Sequence, residues 1–190
     1  MSSTWITSDL HLGHSNIIKY CPKTRGQYRD GQHMNESMIA EWNSHVDEND
    51  TVYILGDVGF MTTEKLIETV NRLQGKKILI EGNHDRKALK NEAYRACFAE
   101  IHQYLTIGFE GTKVVMFHYP ILDHEECARG SVHFHGHRHG DPSGLEKYRV
   151  RDVGVDATGK VVTLMRDMIV DAMKGSIKSH HEGESLRDKQ

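Results

Sequence analysis

Short apolar runs of β type recur along this chain, and most of them end in a turn that carries aspartate, asparagine or histidine. Residues 5–8 run into Asp9-Leu10-His11, residues 51–55 into Gly56-Asp57, and residues 77–80 into Gly82-Asn83-His84-Asp85. Later, residues 113–117 run into His118 and residues 132–135 into Gly136-His137-Arg138-His139. Between the first three runs the apolar period becomes helical. Met38, Ile39, Trp42 and Val46 predict a helix capped by Asn35 and reaching about His45. Leu66, Ile67, Val70 and Leu73 predict another, capped by Thr62 or Thr63 and ended by Gly75. A short helix is expected after Ser15 or Asn16, and a longer one over residues 86–99.

The second half reads differently. Residues 102–109 and 113–117 form a hairpin signal around Glu110-Gly111-Thr112, residues 150–155 read as a strand, and residues 163–174 as a closing helix. Residues 21–32, with Pro22, Gly26 and Gly31 among basic side chains, read as an excursion from the core. A β-α-β-α-β half followed by a mostly β half predicts an α/β fold: two sheets packed as a sandwich, with helices outside. One domain over residues 1–175 is expected, followed by a polar tail over 176–190 without periodicity, where His180 and His181 read as solvated.

Composition narrows the class. A chain of 190 residues is about one domain's worth, and 37% hydrophobic with 27% charged residues fits a globular protein. No apolar run approaches the ~18 residues of a membrane span, and the opening residues lack a signal-peptide pattern. Three cysteines without paired spacing argue against a disulfide framework and for a cytoplasmic location. A net charge of −3 weighs against a surface that coats long nucleic acid, though not against a nucleotide or a strand end. The unusual count is 14 histidines, half of them in or beside the turns above.

The strand-end turns supply carboxylate, carboxamide and imidazole donors, enough for two metal ions. Such a set suits Mn²⁺, Fe, Zn²⁺ or Ni²⁺ better than Ca²⁺ or a thiolate zinc site. Two ions ~3.5–4 Å apart can clamp both oxygens of an in-line displacement at phosphorus, and a bridging hydroxide is then the natural nucleophile. An imidazole suits the general acid at neutral pH. His84, beside Asn83 and next to Asp85, which is placed to hold its ring, fits that role.

In that order, Asp-x-His, Gly-Asp, Gly-Asn-His-Asp, His and Gly-His-x-His resemble the calcineurin-like metallophosphoesterase superfamily, in particular its small stand-alone bacterial or phage-type members. The resemblance implies a four-layer β-sandwich flanked by helices and a binuclear centre. Carried over by position, Asp9, His11 and His139 would hold one metal, Asn83, His118 and His137 the other, and Asp57 would bridge them. His84 would be the acid or a phosphate contact, oriented by Asp85. Well-known protein phosphatases of this type read Gly-Asp-x-x-Asp-Arg-Gly, whereas here Gly56-Asp57 continues Val58-Gly59-Phe60, without the arginine.

These features predict a Mn²⁺-dependent phosphoesterase acting on phosphodiesters such as nucleotides, cyclic nucleotides or a nucleic-acid end. A phosphomonoesterase on nucleotides or small metabolites is the alternative within the class. A non-catalytic binding module on the same fold is the alternative outside it, disfavoured by the full ligand set. His14, Arg25 and Arg138 are candidate substrate contacts, although Arg25, with Lys19, Lys23 and Arg29, also reads as a solvated charge. His133 and His135 read as structural, because Gly136 should break the strand before His137 and His139.

Overall fold

The computed structural model describes residues 2–178. Strands and helices follow in the order β1 (Thr4–Thr7), α1 (Ile17–Tyr20), α2 (Pro22–Arg25), α3 (Gly31–His45), β2 (Thr51–Ile54), α4 (Thr63–Val70) and β3 (Lys76–Ile80). The chain continues through α5 (Glu92–Arg95), β4 (Glu100–His102), β5 (Tyr104–Phe109), β6 (Thr112–Phe117) and β7 (Val132–His135). Within the described residues the last elements are β8 (Val150–Asp152), α6 (Val155–Thr158), β9 (Thr163–Leu164) and α7 (Met165–Ala172). One sheet has the order β4-β3-β2-β1-β9 and the other β5-β6-β7-β8. The expected two-sheet α/β sandwich is therefore present.

Side-chain alternation divides the core into two compartments. Ile6, Leu55 and Ile80 of the first sheet face Val114, Met116, Val132 and Phe134 of the second, and Met165, Met168 and Ile169 of α7 join them. The opposite face of the first sheet packs Val52, Ile54 and Leu79 against Met38, Trp42, Leu66 and Val70 of the helices. β1, β2 and β3 are parallel neighbours, and so are β6, β7 and β8. Their carboxyl ends carry the polar turns singled out above, which is where a parallel sheet opens a crevice.

Several boundaries differ from the sequence expectation, each for a local reason. α3 begins at Gly31 because Asp30, not Asn35, caps it, accepting from the His33 N–H at 2.8 Å. Asn35 instead accepts from the Gly13 N–H at 2.7 Å and ties α3 to the turn after β1. The helix expected over residues 86–99 is broken into a 3₁₀ turn, Ala88–Lys90, and the short α5. Asn91 restarts it, extended in backbone and capping the Tyr94 N–H. α4 stops at Val70, ahead of Gly75, which instead turns the chain into β3 with φ +85°.

The run 102–109 is divided between sheets: His102 closes β4, which pairs parallel with β3, and 104–109 is β5, which pairs antiparallel with β6. The hairpin turn itself is as expected, with positive φ at both Glu110 and Gly111. The strand expected over 150–155 ends at Asp152, and Gly154 then caps α6. Thr163–Leu164 pairs antiparallel with β1 before α7 starts. The excursion at 21–32 contains α2 and a fully buried Arg25. The expected tail does not begin free at 176: the Ser176 N–H donates to the Lys147 carbonyl at 2.8 Å, and Lys178 pairs with Asp123. His180 and His181 lie outside the described residues.

Candidate metal centre

Adjacent strand ends are laced together by backbone hydrogen bonds. The Asp9 and His11 N–H groups donate to the Gly56 and Asp57 carbonyls, both at 3.0 Å, and Gly136 donates to the His118 carbonyl at 3.0 Å. Such close crossing demands glycine. A Cβ on Gly56 would lie 2.6 Å from Gly82 Cα, and one on Gly136 would lie 1.9 Å from Ser8 Oγ and 2.4 Å from Asp9 Oδ2. The motif glycines are thus spacers that let the loops touch.

Seven non-glycine residues among those described have positive φ, and five are candidate ligands: Asp9, His11, Asp57, His137 and His139. A left-handed conformation costs an L-residue roughly 1–2 kcal/mol, so its concentration here marks a site held under strain.

The carboxylate and imidazole atoms converge without bonding one another. Asp57 Oδ2 lies 3.7 Å from His11 Nε2 and 3.6 Å from His118 Nε2, and Asp9 Oδ1 lies 3.8 Å from His11 Nε2 and 4.0 Å from His139 Nε2. These gaps are too long for hydrogen bonds. They match the ~3–4 Å expected between donors that share an ion at about 2.1 Å.

Asp9 Oδ1 and both ring nitrogens of His11 are buried and have no hydrogen-bond partner. Orphaned polar atoms of this kind need a missing partner, and a divalent cation would supply one for Asp9 Oδ1 and for one of the two His11 nitrogens. Two tautomers point the same way. His118 Nδ1 lies 2.7 Å from the Leu55 carbonyl and must donate to it, which leaves Nε2 as a lone pair 3.0 Å from Asn83 Oδ1. His139 Nδ1 likewise donates to Asp156 Oδ2 at 2.8 Å, freeing Nε2 toward Asp9. A hydrogen bond on the far nitrogen is how ligand histidines are commonly oriented. The structure therefore brings Asp9, His11, Asp57, Asn83, His118 and His139 together, with His137 edge-on to His118 at 5.2 Å between ring centroids.

The expectations for two site residues need correcting. Asp85 does not orient the His84 ring: its carboxylate accepts from the Asp57, Val58 and Gly82 N–H groups at 2.9, 3.0 and 2.9 Å. It is a brace between two ligand loops. Arg25 is neither solvated nor a substrate contact. Its guanidinium is 0% exposed, forks onto both oxygens of Asp156, and donates to the Asp9 and Leu10 carbonyls at 2.6 and 2.8 Å. Asp156, which sequence reasoning missed, also accepts from Thr24 Oγ1 at 2.6 Å and from His139. Burial pushes its carboxyl up, but His139 and Arg25 outweigh this and hold it well below the usual carboxylate range. Asp156 in turn raises the pKa of His139. No motif marks Asp156, because its role depends on the turn after β8 meeting the excursion at 21–32.

His84 stands at the rim, its side chain 42% exposed and Nε2 3.9 Å from Asp57 Oδ2, while its N–H donates to Asp57 Oδ1 at 2.9 Å. Two open clefts meet there. One, of ≈ 650 Å³, is lined by His14, Tyr20, Lys23, His137, Arg138 and His139, among others. The other, of ≈ 660 Å³, is lined by Phe60, Met61, Thr62, Asn83, Arg86 and Lys87, among others. His84 is the one residue that lines both. His14 and Arg138 are thus placed beside the ligands, and Arg138 is steadied by donating to the Pro142 carbonyl at 3.0 Å. Burial, then the neighbouring His11 and His84, lower the pKa of His14.

Comparison with known proteins places the chain in a family. The chain is 32% identical over 201 residues to the Gene 66 protein of Mycobacterium phage L5, covering 90% of this chain and 94% of that protein. It is 31% identical over 141 residues to an uncharacterised protein of Methanocaldococcus jannaschii, covering 73% and 70% respectively. A protein of unknown function from Aquifex aeolicus shares the fold with a TM-score of 0.69 at 23% identity, covering 88% of this chain and 98% of that one. The family described as calcineurin-like phosphoesterase matches residues 2–151, which hold every proposed ligand, and the chain belongs to that family.

Proposed function

We propose that this protein is a dinuclear phosphodiesterase, with Mn²⁺ its best activator. The observation that carries the diester preference is the pair of clefts meeting at His84. A diester has two arms to place and a monoester only one. The lack of the arginine seen in related phosphatases points the same way, because a dianionic monoester needs more fixed positive charge than a diester.

Asp9, His11 and His139 would hold one ion, Asn83, His118 and His137 the other, with Asp57 shared between them. When bound, the ions would offset charge on the phosphoryl oxygens and lower the pKa of water. Asp156 and Arg25 keep His139 and the Asp9 carbonyl in place, and Asp85 locks the loops of Asp57 and Asn83 against one another. His84, open to both clefts, is the proton donor to the leaving oxygen of whichever arm departs.

The test is turnover of bis-p-nitrophenyl phosphate and p-nitrophenyl phosphate with Mn²⁺, alongside a diester with an alkyl leaving group. The diester should have the larger kcat/KM. His84→Ala should lose about 10²–10⁴-fold on the alkyl ester and much less on the nitrophenyl ester, whose leaving group departs as an anion. A preference for the monoester would overturn the diester reading. Equal losses on both diesters, with metal content unchanged, would make His84 a charge contact instead.

A further inference from the structure

The two clefts differ from simple slots in what lines their mouths. Tyr20, 68% exposed, stands in the first, and Phe60, 39% exposed, in the second. Large apolar side chains left in water at a binding site are candidates for ligand contact. The two rings belong to one aromatic strip. Phe60 stacks on His14 at 4.4 Å between centroids with planes 21° apart, and it lies 4.4 Å from His84. Tyr20 meets His14 edge-on, with ring centroids 6.1 Å apart. The strip thus crosses the rim of the metal centre from one cleft to the other, with the proposed proton donor inside it.

Each aromatic has basic neighbours in its own cleft: Lys23 and Arg138 with Tyr20, Arg86 and Lys87 with Phe60. Arg86 also faces Glu81 at 3.4 Å, so on that side Lys87 is the freer charge. Aromatic faces alternating with cations along a groove are the combination that holds single-stranded nucleic acid, because every base has a π-face and every linkage an anion. A small dialkyl diester would use neither ring.

We propose that Tyr20 and Phe60 are base-stacking subsites on opposite sides of the scissile phosphate, and that the substrate is a short single-stranded oligonucleotide. This rests on the phosphodiesterase reading above and extends it to the two arms. The overall charge of −3 is compatible with a site spanning a few nucleotides, since only the groove need be basic.

The experiment compares a thymidine trinucleotide with the same backbone bearing abasic tetrahydrofuran units, using the full chain with excess Mn²⁺. Bis-p-nitrophenyl phosphate and p-nitrophenyl phosphate are run in parallel. Wild type should favour the base-bearing strand in kcat/KM, and Tyr20→Ala and Phe60→Leu should each cut that base-to-abasic ratio by about 10-fold. Phe60→Leu keeps the apolar packing over His11 and His84, and the ratio within each variant cancels a general loss of activity. If bis-p-nitrophenyl phosphate is cleaved but wild type shows no preference for bases, or neither substitution lowers that preference, the stacking subsites are wrong. If only p-nitrophenyl phosphate is cleaved, the phosphodiesterase reading itself fails.

Discussion

At the scale of single residues, the candidate ligand set was legible because metal chemistry restricts residue type, and Asp, Asn and His at strand ends are few enough to single out. The left-handed backbone at those positions was not legible. Nothing in the identity of His137 announces φ +70°, and only the loop crossing imposes it. That strain has a measurable consequence. In metal-free protein, His137→Gly should be more stable to urea than His137→Ala by about 1 kcal/mol, reversing the usual order, because glycine enters the left-handed region without a Cβ clash. Equal stability of the two variants would mean that the strain is released when the metals leave. Asp85 shows the opposite limit of sequence reasoning. Its place beside His84 made it look like an orienting partner, but tertiary structure brings three N–H groups to its carboxylate instead.

At the scale of elements, the parallel strands were legible from their apolar runs, while short helices and caps were not. Asn35 and Asp30 are both good cap residues, and the choice between them follows from the turn after β1, which recruits Asn35. Arg25 shows the same limit more sharply. A basic residue in a Pro- and Gly-rich stretch looks solvated, and only the fold shows α2 delivering it to Asp156 beneath the candidate metal ligands. Removing one partner of a buried, hydrogen-bonded pair typically costs about 3–5 kcal/mol, so Arg25→Ala should lower the denaturation midpoint sharply. The milder Asp156→Asn should leave a folded protein whose Mn²⁺ affinity, measured by calorimetric titration, falls about 10–100-fold, as expected for loss of a histidine's supporting carboxylate. Unchanged affinity would show that His139 either is not a ligand or needs no support.

At the scale of the whole molecule, the division into two sheets was legible from the change of period between halves, but the crossing point was not. No proline or glycine marks the crossing at Gln103, where the chain passes from β4 in one sheet to β5 in the other. The sandwich also buries histidines that contribute to its acid sensitivity. Burial first, then His135 and His124, lower His133 from 6.5 to about 3, so the native state keeps it neutral while the unfolded chain protonates it. The stability this represents is complete above pH 6.5 and is lost as pH falls toward 3. Between about pH 4.5 and 6, metal-free wild type should lose about 1.4 kcal/mol per pH unit more than His133→Gln, one proton's worth. Parallel slopes would place His133 in contact with water. The proposed two-ion centre is tested most directly by titrating metal-free protein with Mn²⁺ while following turnover of bis-p-nitrophenyl phosphate. Activity should rise until two equivalents per chain are bound, and Asp57→Asn should be nearly inactive at any Mn²⁺ concentration. Full activity at one equivalent, or near-normal turnover by Asp57→Asn, would contradict a shared two-ion site.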